Sequence, residues 1–200
     1  VLATLSQTHA GRAVQLWDPK TKAKRLEIER REPGMDLMFS AFALAPGGKS
    51  LVTTSSNEMV RWDLETKQPL WKVMSDSHDL RLPTEPCYSP DGRILATAYC
   101  SVALWDAETG NLIRRFERVK GKHVSADSPQ FSPDGKCLAV VEERSAIVVW
   151  RLDGDQAVMA FENGQKVVDR IRFSPDGKML ASASWDGTIL LWDMELLYKK

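Results

Sequence analysis

Cysteine is scarce in this 200-residue chain. There are three, Cys87, Cys100 and Cys137, an odd count at irregular spacing with no C-x-x-C pair. A disulfide framework is thereby excluded, and no ligand set for structural zinc is offered. An excess of either charge is also missing. Lys plus Arg and Asp plus Glu number 27 each, for a formal net charge of zero, which argues against a chain that grips nucleic acid or an anionic membrane by bulk charge. No run approaches the roughly 18 apolar residues of a membrane span, and no charged-then-apolar leader opens the chain. The three histidines, His9, His78 and His123, stand with no Cys, Asp or Glu at metal spacing. A Gly-rich phosphate loop, a nucleophile elbow and a His-Glu-x-x-His motif are all lacking. So is any sustained helical period. What remains is a 43% hydrophobic chain, ordinary for a globular protein and too apolar for a disordered one.

The chain repeats itself. Trp17, Trp62, Trp105, Trp150 and Trp192 each end a short apolar run, at spacings of 45, 43, 45 and 42 residues. Asp18, Asp63, Asp106 and Asp193 follow four of them, and Arg151 follows the fifth. A second marker keeps step: Ala45-Pro46-Gly47-Gly48, Ser89-Pro90-Asp91-Gly92, Ser132-Pro133-Asp134-Gly135 and Ser174-Pro175-Asp176-Gly177. A third is the apolar residue eleven positions after each of the first four tryptophans, Ile28, Val73, Phe116 and Phe161. Three markers in one register establish a real period.

Each repeat reads as four short strands. Ser-Pro-Asp-Gly has type I turn chemistry, with Ser as acceptor, Pro setting φ and Gly closing the turn. Runs such as Met179–Ser184 follow, then a turn, then Thr188–Trp192. In the last repeat the joining turn contains Asp186-Gly187, a hairpin signal. The strand ending in Trp is apolar at nearly every position, as in Ala146–Trp150, which predicts cover on both faces. A more polar fourth strand follows, for example Asn111–Phe116. Pro86 and Pro129 fall in first strands, a place open to proline if those strands are sheet edges. The expected fold class is all-β.

The 42–45-residue period, the Trp-Asp endings and the Ser-Pro-Asp-Gly turns together resemble the WD-repeat β-propellers, in the style of bacterial members. The resemblance covers essentially the whole chain. It implies four-stranded antiparallel blades: a partial blade over 1–34, full blades over 35–79, 80–121 and 122–163, and a partial blade over 164–200. Five-bladed closure would need two more strands, and the seven blades usual in the family need roughly 300 residues. An incomplete propeller, a fragment of a larger one, is therefore expected, with self-association over the open ends as the alternative. The family's structural tetrad links a His, a Ser or Thr, a tight-turn Asp and the Trp. Carried onto the last repeat, it supplies Ser182 or Ser184, Asp186 and Trp192, with Asn163-Gly164-Gln165 where the histidine should be. His78 and His123 lie near that place in other repeats whose turns depart from the pattern, so no repeat holds the full set.

The tryptophans Trp17, Trp62, Trp105, Trp150 and Trp192 read as structural, each at a fixed place in an interior strand. Trp185 differs, standing at a hairpin tip beside Asp186. In the resembling family that turn shares a surface, usually the binding surface, with the start of each first strand. Ser40, Thr84, Asp127 and Asp169 occupy that start. With Glu142 and Glu143, these residues predict an acidic interaction face anchored by Trp185, suited to a basic protein or peptide partner. Two basic clusters, Lys20 to Arg25 and the less compensated Arg114 to Lys122, read as solvated faces, with phosphate binding as the lesser alternative. The expected function is a protein-interaction scaffold without catalysis or cofactor. The alternative is an accessory module of a multidomain signalling enzyme, such as a bacterial kinase, whose catalytic domain lies outside this chain. The cytoplasm is the default location.

Overall fold

The computed structural model describes residues 2–8, 11–29, 40–55, 58–74, 85–98, 101–116, 126–154, 157–162 and 167–195. They contain eighteen β-strands and no α-helix, and divide into two compact units, Val1–Pro86 and Cys87–Lys200. The first unit carries a three-stranded sheet, β1 (Leu2–Thr8), β2 (Gly11–Trp17) and β3 (Lys24–Glu29). It also carries a four-stranded sheet, β4 (Ala41–Leu44), β5 (Ser50–Thr54), β6 (Glu58–Asp63) and β7 (Pro69–Met74). The second unit holds β8 (Glu85–Tyr88), whose first two residues fall on the first unit's side of the boundary, with β9 (Ile94–Ala98), β10 (Val102–Asp106) and β11 (Leu112–Phe116). Next come β12 (Ala126–Phe131), β13 (Cys137–Glu142), β14 (Ala146–Arg151) and β15 (Ala157–Glu162), then β16 (Val168–Phe173), β17 (Met179–Ser184) and β18 (Ile189–Asp193). Every sheet is an antiparallel meander in chain order. These are the blades of an incomplete β-propeller, with the Trp-bearing strand third in each full blade. Pro86 and Pro129 lie in β8 and β12, the edge strands of their sheets, where a missing N–H costs no ladder bond.

Three Ser-Pro-Asp-Gly turns fold alike. Ser89, Ser132 and Ser174 each donate from Oγ to the Oδ1 of the Asp two residues on, at 2.6 Å. The same Oγ accepts from the N–H that opens the next strand, at Ile94, Cys137 and Met179, each 2.9 Å. Gly92, Gly135 and Gly177 take φ of 74°, 71° and 74°, a left-handed turn that glycine alone enters freely. Ala45-Pro46-Gly47-Gly48 keeps only the backbone pair, Gly48 N to Ala45 O at 2.8 Å and Ala45 N to Ser50 O at 3.0 Å.

These turns predict an acid response. The Ser89 and Ser174 hydroxyls, then the backbone N–H groups of Arg93 and Lys178, hold the Asp91 and Asp176 carboxyls below their ordinary value of 3.8. A depressed folded-state value means the stabilisation is present above the unfolded value and is lost as pH falls through the folded one. Acid unfolding followed by circular dichroism should therefore steepen below about pH 4. The Asp91→Asn, Asp176→Asn double variant should show a shallower acid limb, and an unaltered limb would refute the assignment.

Packing between successive sheets follows one frame. In the second unit, Ala96, Ala98, Val102 and Leu104 meet Leu138, Val140, Val148 and Trp150 of the following sheet, with Phe116 tilted on Trp150 at 4.8 Å. One sheet on, Ala139, Val141, Ile147 and Val149 meet Val168, Leu180 and Trp192, with Phe161 against Trp192 at 4.7 Å. The first unit repeats the scheme with Val14, Leu16 and Ile28 against Leu51 and Trp62. Each large side chain buried this way stabilises by about 1.5–3 kcal/mol. Arg114 adds a polar tie between sheets: its guanidinium lies 4.4 Å from the Phe116 ring centroid and donates to Gly154 O at 2.6 Å.

The tryptophans have a polar handle as well. The indole N–H donates to a hydroxyl on the second strand at Trp17–Thr4 (3.0 Å), Trp62–Thr53 (2.9 Å), Trp105–Thr97 (2.8 Å) and Trp192–Ser182 (3.0 Å). In each sheet the hydroxyl stands two residues beyond the residue paired with the Trp. The β12–β15 sheet breaks the rule. Trp150 pairs with Leu138, so Val140 holds the hydroxyl position, and the buried Trp150 Nε1 has no acceptor.

The expectation that Trp-bearing strands are covered on both faces holds for β10 and β14, which are buried along their apolar length. It does not hold for β18. Ile189 and Leu191 are 70% and 67% exposed because, among the described residues, no further sheet meets their face.

Candidate interaction face

The ends of the sheets opposite the Ser-Pro-Asp-Gly turns carry the loops read from the sequence as a binding surface. In the second unit they are knit together by backbone bonds. Trp185 tops the β17–β18 turn and is 71% exposed. Its N–H donates to Val167 O at 2.9 Å, and one residue on Val168 N–H donates to Arg144 O at 2.6 Å. The guanidinium of Arg144, on the β13–β14 turn, stands 5.8 Å from the Trp185 ring centroid, inside the range where a cation is drawn to the ring face. Trp185 is thus held from two neighbouring loops while most of its indole faces solvent.

The turn beneath it is shaped by its own chemistry. Asp186 Oδ1 accepts from Thr188 N–H at 2.9 Å and Thr188 Oγ1 at 2.6 Å, and Gly187 takes φ +85° to close on Ser184 O at 3.1 Å. The Asp-Gly pair acts as the hairpin signal indicated. The β13–β14 turn reaches a left-handed conformation without glycine: Glu143 and Arg144 have φ of 49° and 59°. Such conformations cost about 1 kcal/mol or more for residues with a Cβ and gather at functional loops. Ser128, at φ 52° in the β12 bulge, is fully buried and accepts from Ile171 N–H at 3.3 Å, tying that bulge to β16.

The strand-start residues fall as follows. Asp127 is half-buried at the β12 bulge, and Asp169 is exposed at the β16 bulge, its carboxylate 3.5 Å from Arg170. Ser40 lies in the first unit, exposed just before β4, its N–H donating to Thr54 O at 2.7 Å. Thr84 lies outside the described residues, as do His9, His78 and His123. Glu142 is buried and Glu143 exposed. The second-unit loops therefore combine the carboxylates of Asp127, Glu143, Asp169 and Asp186 with two cations, Arg144 and Arg170. Arg144 escaped the sequence reading. It stands at the repeat position of Asp186, six residues before its Trp, and aligning the turns by the tryptophans would have found it.

Among the described residues, no group of three or more His, Cys, Asp or Glu could hold a metal ion. Burial pushes the Cys87 and Cys137 thiols up, away from the reactive thiolate. No helix of the described residues is long and apolar enough to cross a membrane.

Comparison with known proteins fits this geometry. The family described as WD domain, G-beta repeat matches residues 157–193, which run from β15 through β18 and contain the Trp185 turn and the Trp192–Ser182 bond. The chain is also 28% identical, over 118 residues, to telomerase protein component 1 of Rattus norvegicus. That match takes in 58% of this chain and 4% of the rat protein's length. Residues 157–193 thus match one WD repeat, and the tryptophan bonded to a facing hydroxyl recurs in three other sheets, so the chain is similar to the WD-repeat family.

Proposed function

We propose that this chain is a protein-interaction scaffold that engages a basic segment of a protein or peptide partner through the loops around Trp185, without chemistry of its own. WD repeats serve typically as such scaffolds, and the observation that carries the finer reading is Trp185 itself. A large aromatic that is 71% exposed yet pinned through Val167 O and Arg144 loses little freedom on binding, which is what an interface anchor requires. The surrounding carboxylates of Asp127, Asp169, Asp186 and Glu143 outnumber Arg144 and Arg170 and favour a cationic partner. In the sequence, Ser40 and Thr84 hold the matching strand-start position of the earlier repeats.

Affinity capture followed by titration calorimetry tests it. Trp185→Ala should weaken the captured partner about 30-fold, the equivalent of ~2 kcal/mol. Val158→Ser, on outer strand β15, should leave affinity unchanged. Equal affinity of Trp185→Ala and the parent would remove Trp185 from the interface. A second reading, an accessory module within a longer signalling enzyme, draws on one observation: the stretch matched in the rat protein is 4% of that polypeptide. The intact mass of the native protein carrying this sequence separates the two, since an accessory module requires a mass well above 22.5 kDa.

A further inference from the structure

A second recessed site lies within the first unit, at the end of the sheets bearing the Trp-Asp turns. It is a cleft of about 280 Å³ between the β2–β3 edge of the first sheet and the turns of the second. Leu16, Leu26 and Leu64 give it an apolar floor; Arg25, Lys49, Asp63 and Glu65 give it a charged rim. The repeat supplies its own comparison. In the second unit the corresponding place lies between β10–β11 and the turn after β14, and there an arginine reaches across. Leu104 pairs with Arg114 as Leu16 pairs with Leu26, so Arg114 stands where the first unit has Leu26. Its guanidinium crosses to Gly154 O. Both places share one frame: Leu64 N–H donates to Lys49 O at 3.0 Å, and Leu152 N–H to Lys136 O at 2.9 Å.

The charges differ in a telling way. In the second unit Arg151 and Asp153 neutralise one another in a two-point ion pair at 3.1 and 3.0 Å, while Arg114 comes from the neighbouring sheet. In the open cleft the position of Arg151 is Asp63, and that of Asp153 is Glu65. Backbone and side-chain hydrogen bonds from Thr66 hold the Asp63 carboxyl below its ordinary value, so it is ionised. Arg25, which also lines the cleft, is engaged by Asp18 at 3.1 Å, and Arg61, the cation that Asp63 feels, donates to Ser50 Oγ at 3.2 Å. Lys49 does not bar a further cation, because Lys136 coexists with Arg114 at the matching place. The cleft keeps two carboxylates at its rim and has leucine, Leu26, at the position from which Arg114 reaches across in the second unit.

We propose that this cleft receives an arginine side chain from a protein partner, its aliphatic stem over Leu16, Leu26 and Leu64 and its guanidinium between Asp63 and Glu65. The site is separate from the Trp185 loops and does not depend on them.

The test is an amide-resolved NMR titration of the full chain with N-acetyl-arginine amide, using N-acetyl-citrulline amide as an uncharged match in shape. Saturable shifts are expected at Gly48, Lys49, Leu64 and Glu65, with citrulline at least about tenfold weaker, as loss of a charge-assisted bond implies. Glu65→Lys, an exposed change, should weaken arginine binding by a similar factor. Leu26→Arg, which supplies an arginine from within as Arg114 does, should abolish it. Since Leu26 is only 6% exposed, Glu65→Lys carries the test if Leu26→Arg fails to fold. The proposal is overturned by the absence of saturable shifts up to about 20 mM probe, by equal binding of citrulline, by indifference to Glu65→Lys, or by shifts confined to the Trp185 turn.

Discussion

Trp150→Ala should cost about 3–5 kcal/mol of stability, the range for removing a large aromatic from a packed interior. Trp150 is 7% exposed, tilts against Phe116 at 4.8 Å and packs with Leu104, Phe131 and Leu138 across two sheets. Its indole N–H has no acceptor, so the loss contains no hydrogen-bond component. It measures packing alone, the transfer of the ring plus the cavity left behind. Domains of this size are stable by about 5–15 kcal/mol in total, so the variant would lie near the edge of folding. Urea unfolding monitored by circular dichroism checks it. A loss below about 1 kcal/mol would mean that the two sheets collapse freely onto the space, against the close packing described.

Thr97→Val and Val140→Thr should move stability in opposite directions. The first deletes the hydroxyl that accepts from Trp105 at 2.8 Å, where Thr97 and Trp105 are both buried. An indole N–H left dry and unpaired costs about 1–3 kcal/mol. The second places a hydroxyl on the matching residue beside Trp150, whose N–H lacks one. A net gain of about 1 kcal/mol is expected, the usual worth of an internal hydrogen bond. The shapes exchanged are nearly identical, so packing contributes little to either. Two denaturation curves decide the matter. If Val140→Thr destabilises as much as Thr97→Val, a buried hydroxyl is unfavourable here whatever its partner, and the Trp–hydroxyl rule has no energetic content.

Strands and turns were legible in the sequence because each repeat marks its corners with residues of special backbone chemistry. Ser-Pro-Asp-Gly and Asp186-Gly187 specify turn geometry locally, and the interval between them leaves room for one strand and no more. The Trp150 defect was not legible in the same way. It depends on cross-strand register, since the hydroxyl sits two residues past the partner of Trp, and neither Val140 nor Trp150 looks unusual alone. Without that register three indole hydrogen bonds, those of Trp17, Trp62 and Trp105, were missed, whereas the Trp192–Ser182 bond falls on residues the family tetrad had linked. The Arg114–Gly154 tie spans 40 residues and has no local signal. Glu143 and Arg144 carry none of the Gly or Asn that normally announces positive φ, so that turn showed only as a departure from the pattern. The exposed placement of Trp185 was legible from its position at a hairpin tip; the arginine over its ring belongs to another repeat and came into view only with the fold.

The sequential packing of the second unit has a thermodynamic consequence. Each sheet's buried contacts are chiefly with the sheet before it and the sheet after it, so its free energy approximates a one-dimensional sum of intrinsic and nearest-neighbour terms. Information about a perturbation then decays with distance along the array. A weakened β12–β15 sheet would raise amide exchange in both flanking sheets, whereas damage to β16–β18 would reach β8–β11 only through the sheet between them. Within that unit the central sheet couples to two neighbours and has the buried indole without an acceptor, so cooperativity is set there.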